Sequence, residues 1–261
     1  MRAPARANGT VTGWAPTRDP EGRFSSGIPD FDRLLGGGYR RGSFSLVSVD
    51  ESVLREDIDL LLFPTYLNML YQSRGIVAVL PSNDSPHDFR ARLTRFVTRR
   101  RFDSRVRVMD YVGEDSDAPY VVSFYHQDGR DPNKSGPIER KKAMAKAQAG
   151  ESAAKGTGNR PFLELVALEI FETLMGAEAA AKTYFHGVKR TREVGNLGLG
   201  ILGPGLGCAA SMRRMADVEF ALHRDEVGLS VRGVHPAFAR HVVAPDPAAG
   251  APHVALVPPP A

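Results

Sequence analysis

Phe24-Ser25-Ser26-Gly27-Ile28-Pro29-Asp30-Phe31-Asp32-Arg33-Leu34-Leu35-Gly36-Gly37-Gly38-Tyr39-Arg40-Arg41-Gly42-Ser43 is the densest run of structural signals in the chain. Asp30 to Leu35 has the apolar spacing of one or two amphipathic turns. Three glycines then break the helix, because they carry the chain through conformations closed to other residues. Ser43 to Val49 follows, apolar and β-rich like a buried strand.

Downstream, strand and helix patterns alternate. Arg55 to Tyr71 carries apolar residues at helical spacing, with Pro64 as an expected kink. Ile76 to Leu80 reads as a second strand. Ser85 and Pro86 read as the N-cap and first position of a helix running to about Arg101. Val106 to Met109 is a third strand and Tyr120 to Tyr125 a further candidate. Phe162 to Leu168 is another strand, Ala177 to Val194 a helix ended by Gly195, and Leu197 to Leu202 a strand. Val218–His223 and Val227–Val231 read as antiparallel strands across a turn, and Arg240 to Val243 adds one more. This order predicts an α/β fold with a twisted, mostly parallel sheet flanked by helices and a C-terminal antiparallel extension. Three segments fall outside it: a flexible leader at 1–23, a disordered basic insertion at 126–160, and a Pro/Ala-rich tail at 246–261. The domain itself spans 24–245.

Composition narrows the chemistry. Of 261 residues, 34 are Lys or Arg, divided into 27 arginines and 7 lysines. The first lysine is Lys134 and Gly-Lys occurs nowhere, which excludes an ordinary P-loop enzyme of the G-x-x-x-x-G-K-[ST] type. One cysteine, Cys208, rules out an internal disulfide and a cysteine-based zinc site. The seven histidines are scattered without a metal pattern. No apolar stretch of about 18 residues is present, so no membrane span is expected and the expected location is the cytoplasm. The net charge of +4 is compatible with an acidic protein or nucleic-acid partner.

The opening stretch resembles the KaiC-like branch of the RecA ATPase superfamily. Members typically read S-T-G-I-P-x-L-D-x-L-L-G-G-G-x-x-x-G-S before the strand that leads into the Walker A loop. Gly75 to Phe96 and Met215 to His235 resemble two later family segments. The resemblance implies a RecA-like P-loop-type fold over about 24–245. It also implies an ATP site, whose positions follow residue by residue.

Where the family reads S-G-x-P-G-T-G-K-T, this chain has Ser48-Val49-Asp50-Glu51-Ser52-Val53-Leu54-Arg55-Glu56. The loop glycines are gone, and with them the positive-φ backbone that makes an anion nest. Arg55 stands in the lysine slot and Glu56 replaces the magnesium-binding hydroxyl, so Ser48, Ser52, Arg55 and Glu56 are degenerate Walker A positions. Asn83 and Asp84 stand where the family has two glutamates that activate water, and Asn83 cannot act as a base. The Walker B aspartate position falls at Leu168, with Glu169 adjacent.

The resemblance with these substitutions implies a pseudo-ATPase with no catalytic residue, no metal site and no ATP or magnesium requirement. Its expected role is regulatory or scaffolding, in signalling or transcriptional regulation, through protein contacts or self-assembly. Relatives in the branch include clock proteins, gas-vesicle regulators and recombinase paralogues. Two alternatives stay open. One is a nucleic-acid-binding RecA-paralogue subunit, motivated by eight arginines between Arg90 and Arg107, of which Arg95, Arg99, Arg100 and Arg101 are the candidate contacts. The other is a residual ATP-binding enzyme or weak ATPase using Arg55 and Asp84.

Overall fold

The computed structural model describes residues 14–111, 118–123, 161–246 and 252–259. In the opening stretch, strand β1 (Arg23–Phe24) pairs antiparallel with β2 (Tyr39–Arg40), and helix α1 (Pro29–Leu34) lies between them. Buried Asp32 ties the stretch together. Its carboxylate accepts hydrogen bonds from Ser25 Oγ (2.5 Å) and the Ser26 amide (2.7 Å). Its carbonyl accepts from the amides of Gly37 (2.7 Å) and Gly38 (3.0 Å). The three glycines sit at φ +70°, +110° and +95°, as the sequence requires of a chain reversing in so short a space. Gly38 is also sterically closed, since a Cβ there would lie 2.4 Å from the Phe24 carbonyl oxygen.

Ten strands form the main sheet: β3 (Phe44–Val49), β4 (Ile76–Val79), β5 (Val106–Asp110), β6 (Val121–Ser123), β7 (Leu163–Ala167), β8 (Leu197–Leu202), β9 (Val218–Asp225), β10 (Gly228–His235), β11 (Phe238–Pro245) and β12 (Val254–Val257). Their order is β12-β11-β10-β9-β3-β8-β7-β4-β5-β6. Pairings from β9 through β6 are parallel, and those from β9 out to β12 are antiparallel. Helices α2 (Arg55–Tyr71), α3 (Pro86–Leu93) and α4 (Arg99–Arg105) join α1 on one face. Helices α5 (Leu168–Met175), α6 (Ala177–Val194) and α7 (Ala209–Met215) cover the other.

Both faces of a parallel sheet must be covered, and β4 shows how sequence meets that demand. Ile76 and Ala78 enter the first core while Val77 and Val79 enter the second. In β8 the glycines have a packing reason: a Cβ at Gly198 or Gly200 would come within 2.8 Å of the Phe44 ring.

The structure departs from the sequence reading in five places. Helix α2 continues through Pro64 as one 17-residue element. It is clasped to the opening stretch by hydrogen bonds from Thr65 Oγ1 to the Ser26 carbonyl (2.9 Å) and Asn68 Nδ2 to the Ser25 carbonyl (3.1 Å). The helix expected from Ser85 to Arg101 is instead α3 and α4, because the Thr98 side chain caps a new start by accepting from the Arg101 amide. The leader at 1–23 is packed from Trp14 onward: Trp14 is buried and Asp19 pairs with Arg74. The tail at 246–261 supplies β12, and His253 stacks on Trp14 with centroids 4.5 Å apart. The strand expected from Phe162 to Leu168 stops at Ala167, so Leu168 and Glu169 open a helix. The insertion at 126–160 lies outside the described residues.

The glycine geometry makes a paired prediction. Gly36→Ala meets open space and bears only the left-handed backbone penalty, about 1 kcal/mol. Gly38→Ala adds a backbone clash and should lose at least about 2 kcal/mol more in urea denaturation. Equal losses at the two positions would contradict the assigned packing.

Candidate functional site

In open α/β sheets, ligand sites lie outside the carboxyl ends of the strands. Here that edge gathers the loop after β3, the turn after β4, the start of α5 after β7, the glycine-rich loop after β8 and the end of β9. Every ATP-site position named from sequence falls on or beside it.

The loop from Asp50 to Leu54 joins β3 to α2 with no residue at positive φ. It is held by the protein itself. Asp50 accepts from the Ser52 amide (2.9 Å) and pairs with His223 at the end of β9. Burial alone would push Asp50 up, but bonds from Ser52 and His223 outweigh it and keep the carboxyl below its ordinary range. The Arg224 amide donates to Ser52 Oγ (2.9 Å), and the Arg224 guanidinium pairs with Asp57. Asp57 in turn accepts from the Leu54 amide (2.9 Å), capping α2. Ser48, one residue earlier on the strand, donates to Glu219 Oε1 (2.6 Å), which also pairs with Arg213. Glu56 remains exposed.

Beside this loop four charges meet. Arg55, in the lysine slot, pairs with Asp84. Arg92 from α3 reaches the same carboxylate (2.8 Å) and also Asp59 on α2 (2.7 Å). The Asp84 side chain is 2% exposed. Burial pushes Asp84 up to about 7, against the opposing pull of Arg55. Burial likewise pushes Asp59 up to about 7, opposed by Arg55 and reinforced by Asp84 and Glu56. Asn83 is exposed at the adjacent turn.

At the Walker B place, Leu168 is fully buried and its carbonyl accepts from the Tyr184 hydroxyl (3.3 Å). Glu169 accepts from the Ser82 amide (2.8 Å) and hydroxyl (2.9 Å), bridging the β7 and β4 edges. Among the described residues, no group of three or more His, Cys, Asp or Glu side chains converges to hold a metal ion. A triphosphate with magnesium does not fit this donor set. The loop has no anion nest, its one aligned cation is spent on Asp84, and neighbouring carboxylates would face the phosphates. Sequence reasoning missed His223, Arg224, Arg92 and Asp59 as members of this edge.

The arginine run resolves into two groups. Arg90 binds Asp103 bidentately (2.7 and 2.8 Å), and Arg92 is committed as above. Arg101 lies over the Tyr71 ring, 4.3 Å from its centroid, and Arg107 donates to the Asp103 and Val106 carbonyls. Arg95, Arg99 and Arg100 are exposed and have no ion-pair partner among the described residues. Three of the four expected contacts are therefore available to a partner, and Arg101 is braced against α2.

Known proteins resemble the chain in two ways. Residues 13–134 match the family model described as GvpD basic region 2. Protein GvpD2 of Halobacterium salinarum is 27% identical over 170 residues, which is 62% of this chain and 34% of that protein. Protein GvpD1 of the same organism is 33% identical over 111 residues, 42% of this chain and 20% of that one. The chain thus spans about a third or less of these relatives. Among solved structures, a KaiC-like protein from Pyrococcus horikoshii OT3 superposes with a TM-score of 0.58 at 13% identity, covering 90% of this chain and 99% of that one. An uncharacterized protein from the same species, solved in complex with an unknown peptide, gives 0.60 at 15% identity over 89% and 98%. In fold, the chain is a KaiC-like protein of the RecA superfamily.

Proposed function

We propose that this chain is a RecA-like pseudo-ATPase that acts as a regulatory or scaffolding protein through protein contacts. One observation carries the reading: the aligned cation, Arg55, is paired inward with Asp84, and the loop before it is glycine-free and tied to β9. The GvpD similarity and the place of gas-vesicle regulators in the KaiC-like branch support a regulatory role.

The exposed arginines supply the contact surface. Arg99, Arg100 and Arg101 occupy the first turn of α4, where the helix dipole disfavours cations. Local stability does not account for arginines there, and contact with an anionic partner does. An acidic protein segment suits the surface better than duplex DNA, because only three cations on it are unpaired and seven-residue α4 is short for a groove-binding element.

Two measurements test the reading. Titration with Mg-ATP or ADP to millimolar levels should leave the melting temperature within about 1 °C, whereas a site saturated a hundredfold would add about 2.7 kcal/mol. A concentration-dependent rise abolished by Arg55→Ala would establish a residual nucleotide site instead. For the arginine surface, replacing Arg95, Arg99 and Arg100 with Ala should weaken poly-glutamate binding about tenfold or more. Duplex DNA should show a log–log salt slope no steeper than about −3, given about −0.9 per phosphate contact. A slope near −6 would favour the nucleic-acid reading.

A further inference from the structure

The four-charge cluster at the carboxyl edge has a reach beyond the vestigial site. Asp59 and Arg55 sit on the first turns of α2, Asp84 on the turn after β4, and Arg92 near the end of α3. A single guanidinium, Arg92, touches carboxylates from two separate segments, and a single carboxylate, Asp84, touches guanidiniums from two. From α3 the chain of contacts goes on. Arg90, two residues before Arg92, holds Asp103 of α4 with a two-pronged bond. The far side of α4 is fixed by Arg101 over Tyr71, which returns the path to α2. Phe89 and Phe102 stack edge-on beneath it, with centroids 6.1 Å apart.

We propose that Arg55, Asp59, Asp84 and Arg92 form an internal clamp that performs the bridging a bound nucleotide would perform, fixing α3 and through it the arginine face of α4 against α2. The clamp builds on the pseudo-ATPase reading and assigns these residues a positioning role. Arg95, Arg99 and Arg100 are presented by two short helices of eight and seven residues with their connecting turn. Helices of that length have little stability of their own, so their orientation comes from what they are tied to. A closed cycle of contacts through α2, α3 and α4 supplies that tie without any ligand.

Hydrogen–deuterium exchange of the full chain reads the clamp directly. In Asp59→Asn and in Arg92→Gln, amides of residues 86–105 should exchange about tenfold faster or more, while those of β8 (197–202) keep their wild-type rates. The double variant should exchange little faster than either single one, because each substitution removes the same contact. Uniform acceleration including β8, or no acceleration at 86–105, would overturn the clamp.

The wild-type protein provides a second readout that needs no variant. Opening the clamp would carry Asp59 and Asp84 from sites that hold them near 7 toward the ordinary 3.8. The charged and titratable groups facing them are Arg55, Glu56 and Tyr66 on α2 and Asp88 and Arg92 on α3. The closed form then binds more protons, so protection of 86–105, corrected for intrinsic rates, should fall as pH rises from about 4 to about 7 and level off above. A profile parallel to that of β8 would count against the proposal. The two readings fail separately: a rise in 86–105 protection on adding Mg-ATP sinks the ligand-free clamp and the pseudo-ATPase reading together, whereas unchanged exchange in Asp59→Asn sinks the clamp alone.

Discussion

Buried charge must be compensated from within when no ligand supplies the counter-charge, and that constraint organises the carboxyl edge of this sheet. Arg55 enters a place where the RecA-like frame expects a lysine facing phosphate. With Asp84 almost fully enclosed, neither group is left uncompensated, and each takes the other as partner. Arg92 and Asp59 then complete a set of two positive and two negative groups. The loop before Arg55 follows the same logic on its other side. There Asp50 meets His223 and Asp57 meets Arg224, so β9 does for the loop what glycine amides and phosphate do elsewhere. Removing one member of such a set leaves a buried charge behind, which is why the substitutions have to be understood together.

Much of the fold was legible because it rests on short-range rules. The glycine triplet demanded positive φ, and all three residues have it. The apolar runs Phe44–Val49 and Ile76–Val79 could only be strands covered on both faces. The misread elements depend on long-range partners. Strand β12 is four residues in a Pro/Ala-rich context, and it is a strand because β11 offers it an edge and Trp14 stacks on His253 beside it. Leader residues 14–23 are ordered for a similar reason, since Asp19 finds Arg74 from 55 positions away. The break between α3 and α4 was in principle readable, because Thr98 is a good capping residue directly before the Arg99-Arg100-Arg101 run. The even arginine spacing across it suggested one helix instead.

The site was half legible. A lost lysine and lost glycines can be read from one segment, and they correctly pointed to a loop that does not cradle phosphate. What replaces the phosphate cannot be read that way, because Asp84 lies 29 positions beyond Arg55 and His223 lies 173 beyond Asp50. The same blindness inflated the arginine signal. Between Arg90 and Arg107 the sequence contains one acid, Asp103, which suggested eight cations facing solvent. In the fold Asp59 and Asp84 approach from outside that window, and an aromatic ring and backbone carbonyls engage others.

A degenerate site could simply have been left hydrated and loose. Glycine-free loops tolerate many side chains, and surface carboxylates need no partners. Instead the substituted residues are engaged with one another, and the engagement extends to the helices that carry the unpaired arginines. The segment that matches GvpD basic region 2, residues 13–134, contains the whole of that path: the Asp32 knot, α2, the β4 edge, α3 and α4. In that segment the vestigial site and the basic surface are one mechanical unit. Whatever binds Arg95, Arg99 and Arg100 meets a surface whose shape is set by Arg55 and its partners. An anionic ligand pulling on α4 therefore works against buried, mutually neutralised charges, which resist displacement far more than exposed pairs do.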